Sequence, residues 1–225
     1  MKSTSSTESR IEALVTADDL PERLALALYA PRPTRDSRSR LAPELTYGRH
    51  VGPAPHTARQ AAVALVLFRR KGRWHLPLTE RPLNLAHHGG QISLPGGAVE
   101  PREQSLDAAL RELNEELGFN EPHLVVGQLA ECYVFASDFL VTPWVIGCYE
   151  PGLDWQANHR EVQRVIEMPL DALLDDQAIG QLTIERGPLT FHAPCIRLGD
   201  ARVWGATCII LSQLTDLLKQ LLETE

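Results

Sequence analysis

The chain has 225 residues, 44% of them apolar and 23% charged, with a formal net charge of −7. That balance suits a globular fold and argues against disorder. Its acidic excess argues against a nucleic-acid partner, which would want a basic stripe, and no apolar run approaches the roughly 20 residues of a membrane helix.

In chain order, residues 1–10 are polar and read as irregular, without a hydrophobic signal region. Helical character runs from Ile11 to Tyr29, with Asp19-Leu-Pro-Glu22 placed as a capping box. The next stretch, to Ala58, holds five prolines and four arginines (32–40) and little periodicity, so residues 1–58 read as an N-terminal extension. Ala61–Phe68 is a continuous apolar run, suited to a strand buried on both faces. Arg69–Arg73 is a polar turn, Trp74–Leu78 a returning strand, and Thr79–Gln91 a loop that contains His87 and His88. Leu124–Val134 and Leu140–Tyr149 read as strands joined by Phe135–Asp138, followed by a strand at Val162–Met168 and a short helix at Pro169–Leu174. A hairpin over Leu182–Val203, with turns at Gly187-Pro188 and Gly199-Asp200, precedes a closing amphipathic helix at Ala206–Leu222. Four widely spaced cysteines (Cys132, Cys148, Cys195, Cys208) in apolar surroundings point to reduced core thiols and a cytoplasmic protein.

The most informative stretch is Gln91–Gly118. Ile92 and Leu94 alternate like a strand, Pro95-Gly96-Gly97 turns it, and Leu106, Ala109, Leu110, Leu113 and Leu117 form the stripe of an amphipathic helix that Gly118 would end. Glu112, Glu115 and Glu116 share an arc of roughly 100° beside that stripe. Each like-charged pair at these spacings costs about 0.2–0.5 kcal/mol, and the acids lie at the negative end of the helix dipole. A hard divalent cation would relieve that crowding; a solvated acidic face is the bland alternative.

Taken together, Gly97-x5-Glu103-x7-Arg111-Glu112-Leu113-x-Glu115-Glu116-x-Gly118-Phe119 resembles the complete signature of the Nudix hydrolases. The resemblance covers residues 59–225 and implies an α/β fold, a Nudix-type α/β/α sandwich with a mixed β-sheet. It implies hydrolysis of a diphosphate in a small-molecule nucleotide substrate with Mg2+ or Mn2+. Glu112, Glu115, Glu116 and the Gly97 carbonyl would be the metal ligands. Arg111 would orient these acids with Glu103 as its partner; by helical angle alone, Glu103 projects to the opposite side of the helix from Glu112 and is a poor direct ligand. Glu112, Glu161 and Asp138 are the alternatives for the general base.

Leu78-Thr79-x-Arg81 followed by Leu85-x-x-His88-x-Gly90-Gln91-Ile92-Ser93-x-Pro95-Gly96-Gly97 is similar to the motif that precedes the signature in coenzyme A pyrophosphatases, as are Glu161-Val162 and Trp204-Gly205-x-Thr207. This implies coenzyme A or its thioesters as substrate, with Arg81, His88, Gly90 and Gln91 as binding residues. Two positions depart from the motif, Ala86 in place of arginine and Leu94 in place of phenylalanine. Other readings are a diphosphatase for ADP-ribose or a dinucleotide, and a ligand sensor without activity. A homodimer is the oligomeric state kept open.

Overall fold

The computed structural model describes residues 2–30, 41, 54–83, 89–150, 153–186 and 189–224. Its organising strand is β1 (Arg59–Arg70), buried on both faces as its unbroken apolar run predicts. Ala62, Ala64, Val66 and Phe68 point to one side, where they meet Ala108, Ala109, Leu113 and Leu117 of helix α3 (Ser105–Leu117). Leu65 and Leu67 point to the other, into a core shared with three further helices: α1 (Lys2–Thr16), α2 (Leu20–Tyr29) and α4 (Ala206–Thr224).

Hairpin partner β2 (Arg73–Glu80) lies on one side of β1 and parallel strand β7 (Phe139–Cys148) on the other. Short strands β3 (Ile92–Ser93) and β4 (Gly96–Ala98) pair with β2 and β1, β5 (His123–Gln128) and β6 (Cys132–Val134) with β7, and β8 (Arg164–Pro169) with β2. Only β1 and β7 run parallel, so the sheet is mixed, with helices on both faces. Strands β9 (Ile179–Arg186), β10 (Leu189–Leu198) and β11 (Ala201–Trp204) form a separate antiparallel sheet.

Several expectations needed correction. The polar residues before Ile11 continue the first helix, because Leu14 and Val15 dock in the core and Glu12 pairs with Arg73. The helical stretch breaks at 17–19, where the Ala17 carbonyl accepts the Trp74 Nε1 proton (2.7 Å); Asp19 makes no side-chain cap. The strand expected over Leu124–Val134 is two strands, β5 and β6, because at the break between them the Ala130 N–H and carbonyl bond to the Gln213 side chain (2.9 and 3.0 Å) and not to a strand. Leu182–Val203 belongs to three strands, the Gly199 turn feeding β11. Strand β2 extends through Glu80, paired with β8, so Thr79 and Glu80 do not belong to a loop. The Gly187-Pro188 turn, Ala86, His87, His88 and the arginines at 32–40 lie outside the described residues.

All four cysteines are buried and none is in a disulfide. No helix among the described residues is long and apolar enough to cross a membrane.

Candidate active site

Helix α3 carries the acids on a frame fixed by apolar burial. Leu113 and Leu117 are fully buried, each contributing about 1.5–3 kcal/mol, which exceeds the few tenths lost per like-charge pair. The helix ends where expected: Gly118 is left-handed (φ 68°), and its N–H donates to the Asn114 carbonyl at 2.8 Å.

Arg111 organises one side of the acid cluster. Its Nε and Nη2 donate to the two oxygens of Glu103 (2.9 and 3.1 Å) and Nη1 to Glu112 Oε1 (2.8 Å) and Glu115 Oε2 (3.2 Å). Nη2 also reaches the Ala98 carbonyl, tying the helix to β4. Glu103 precedes the helix and, contrary to the expectation that it faces away from Glu112, the two carboxylates share one guanidinium. Hydrogen bonding to Arg111 holds the Glu103 carboxyl below its ordinary range.

Glu116 differs from its neighbours. Its side chain is buried, Oε2 has no hydrogen-bond partner, and burial followed by the Glu112 charge pushes its pKa up to about 8. Arg81 and the Gly96 N–H oppose that shift, whereas Glu161 adds to it. Arg81 itself is incompletely satisfied, because its buried Nε also lacks a partner. Main-chain bonds from Arg81 N–H to the Gln91 carbonyl and from Gly90 N–H to the Arg81 carbonyl (both 3.0 Å) lock Arg81, Gly90 and Gln91 into one turn.

The glycine turn allows the acids their approach. A Cβ on Gly97 would overlap the Glu112 carboxylate, and one on Gly96 (φ 154°) would strike the backbone of Ala62 and Val63. Thus Gly96 and Gly97 admit β4 against β1 while Glu112 lies directly on the turn.

The segment after β7 closes the far end. Gln156 N–H and Asn158 N–H donate to the Leu117 and Glu116 carbonyls (2.9 and 2.8 Å), capping the open end of α3 and bringing Glu161 near Glu116. Asp138 instead sits in the β6–β7 turn and accepts from the Tyr133 hydroxyl (2.8 Å).

These oxygens suit a hard divalent cation. The fit rests on Glu116 Oε2, a buried acceptor without a donor, inside a cluster whose acids outnumber its arginines. Among the described residues no three His, Cys, Asp or Glu side chains are already gathered as a cage, and Arg111 engages one oxygen each of Glu112 and Glu115.

On the other side of the glycine turn lies a cleft of about 630 Å³. Arg81, Gln91, Gly96 and Gly97 line it beside the acid cluster. Its walls are aromatic: Tyr133, Phe135 and Phe139 from the β6–β7 hairpin, and Phe191 and Trp204 from the second sheet. Sequence reasoning missed this wall; its only pointer was the Trp204-Gly205-x-Thr207 string, of which Trp204, Gly205 and Thr207 all line the cleft.

Residues 58–186 match the family model for the NUDIX domain. The uncharacterized Nudix hydrolase NudL of Photorhabdus laumondii is 36% identical to this chain over 160 residues, covering 69% of this chain and 83% of that protein. Its counterpart from Salmonella paratyphi B is 36% identical over 157 residues, covering 69% and 81%. Among solved structures, a MutT/nudix family protein from Enterococcus faecalis overlays with a TM-score of 0.49 at 16% identity, covering 77% of this chain and 67% of that one.

Proposed function

This chain belongs to the Nudix hydrolase family, and from that premise we propose that it cleaves the diphosphate of coenzyme A or its thioesters. The products are adenosine 3′,5′-bisphosphate and a phosphopantetheine. The observation that carries a diphosphate substrate is the junction of two unlike surfaces at one glycine turn, an under-neutralised acid cluster on α3 and an aromatic-walled cleft.

Mg2+ or Mn2+ at the acids, when bound, would neutralise phosphate oxygens and lower the pKa of a water molecule. Glu112, Glu115 and Glu116 would hold it, with the Gly97 carbonyl beside them. Arg111 fixes the rotamers of Glu112 and Glu115, so little ordering remains for the reaction itself. Arg81 reaches from the acids into the cleft, and its unpaired Nε suits an anionic substrate oxygen. Gly90 and Gln91 keep Arg81 in place, and His88 completes the binding set. Glu112 is the base we favour to take the proton of the attacking water, and Glu161 is the alternative on the facing segment. The water oxygen bonds to one phosphorus as the anhydride P–O bond breaks, so each product keeps one of the two phosphates of the diphosphate, and the adenosine product also keeps its 3′-phosphate. The four cysteines, buried and outside any disulfide, support a reducing, cytoplasmic setting.

Incubation with coenzyme A, ADP-ribose and NADH side by side, followed by product identification, tests this reading. Adenosine 3′,5′-bisphosphate should accumulate from coenzyme A. Turnover of ADP-ribose or NADH without cleavage of coenzyme A would reject the substrate assignment and leave the diphosphatase activity standing.

A further inference from the structure

Strand β1 offers a cation that the acid cluster does not use. Ala61 and Val63 line the cleft, and strand alternation puts Arg59 next in the same row, opposite Phe139 in the parallel register. The guanidinium lies 4.0 Å from the centroid of the Phe139 ring. Its Nη2 donates to the Ser137 carbonyl at 2.7 Å, and both Ser137 and Phe139 belong to the cleft wall. Nε and Nη1 have no protein acceptor among the described residues. In contrast, Arg69, Arg70, Arg73, Arg111 and Arg164 are all ion-paired to carboxylates.

An arginine stacked on an aromatic ring keeps its N–H edge free for a planar or tetrahedral anion. Position makes this one selective. Gly97 pairs with Ala62, three residues along β1 from Arg59, a separation of roughly 10 Å at the rise of a strand. A nucleotide whose 5′-diphosphate lies at the glycine turn and whose base stacks on the aromatic wall would bring a second phosphate, on its ribose, toward that edge.

We propose that Arg59 is a specificity-determining residue, the receptor for a ribose phosphate on the nucleoside half of the substrate. The inference rests on the coenzyme A reading above and takes the aromatic-walled cleft as the nucleoside's place. A competing explanation is that Arg59 merely ties the 135–138 turn to β1, since its own N–H also donates to the Asp138 carbonyl (2.9 Å).

Calorimetric titration of adenosine 3′,5′-bisphosphate and of AMP separates the two, in wild type, Arg59→Gln and Arg59→Lys. One charge-assisted contact corresponds to about a tenfold difference in affinity, so wild type should favour the bisphosphate by about that factor. Arg59→Gln should erase the margin, and Arg59→Lys should keep part of it. The ratio of KM values for coenzyme A and dephospho-coenzyme A should collapse in parallel. No margin in wild type, or a margin unchanged in Arg59→Gln, overturns the proposal. An equal weakening of both ligands also overturns it, because that is what a mere staple predicts. If the margin is present and depends on Arg59 while coenzyme A is not cleaved, the phosphate receptor stands and the substrate assignment falls.

Discussion

Two clusters of charge lie at opposite ends of the same sheet layer, and they are balanced differently. At one, Arg70 donates through Nε to Glu167 Oε2 (2.9 Å) and pairs through Nη2 with Oε1, which also accepts from Trp155 Nε1 (3.1 Å). Burial alone would raise the Glu167 carboxyl, yet the hydrogen bonds and charge of Arg70 hold it below its ordinary value. At the other, Arg111 serves Glu103, Glu112 and Glu115, and Glu116 has a buried oxygen with no donor. A charge cluster that only supports the fold closes on itself. One that stores unsatisfied anionic oxygen on a rigid helix has a place for a cation, and the protein's own stability is poorer for it.

The sharpest way to break this contrast is to neutralise the unsatisfied acid, Glu116. Glu116→Gln should lower kcat by about 10²–10³-fold, equivalent to about 3–4 kcal/mol of barrier, in steady-state assays with Mg2+. With chelator present, the same variant should melt at or above the wild-type temperature near neutral pH, because glutamine folds without burying a charge or taking up a proton. A large drop in melting temperature would mean that Glu116 is a structural residue like Glu167. Arg111→Lys should follow in size. Lysine supplies one point charge where the guanidinium fork holds three carboxylates and the Ala98 carbonyl. A loss of about 10–100-fold in kcat/KM is expected.

On the balanced side, Arg70→Met should act the other way. The pair is about 30% exposed on each side, between the surface and buried limits, so a loss of about 1–3 kcal/mol is expected. A scanning-calorimetry melt should show it as a drop of several degrees.

The smallest effect is on pH. Glu116 has its folded pKa raised from 4.5 to about 8, so between those values the folded chain holds a proton that the unfolded chain has released. Folding therefore loses stability as pH rises across that window, whereas below it both states are protonated and the group contributes no pH dependence. The melting-temperature difference between Glu116→Gln and metal-free wild type should grow from pH 5 to pH 8. A constant difference would contradict the burial of that charge.

How much of this was readable from the chain depends on how local each piece is. Helix α3 was readable because its stripe, its acids and its terminating Gly118 sit within one stretch, where period and cap fix their relation. The arginine bridge between Glu103 and Glu112 is not legible from helical angles, because Glu103 lies before the helix begins. The aromatic wall was invisible for a different reason. Tyr133 and Phe139 are brought to Phe191 and Trp204 by contacts between separate sheets, and alternation along one strand does not say which distant strand its face will meet. The polar start of α1 likewise depended on tertiary docking of Leu14 and Val15, which outweighs weak local propensity.

Cation binding at α3 is what the unsatisfied Glu116 oxygen most directly requires. Titration of the metal-free protein with Mn2+, followed by electron paramagnetic resonance, should show a bound ion in wild type and an affinity at least about tenfold weaker in Glu116→Gln, in keeping with a ligand on a divalent ion. Equal Mn2+ affinity in the two proteins would contradict it.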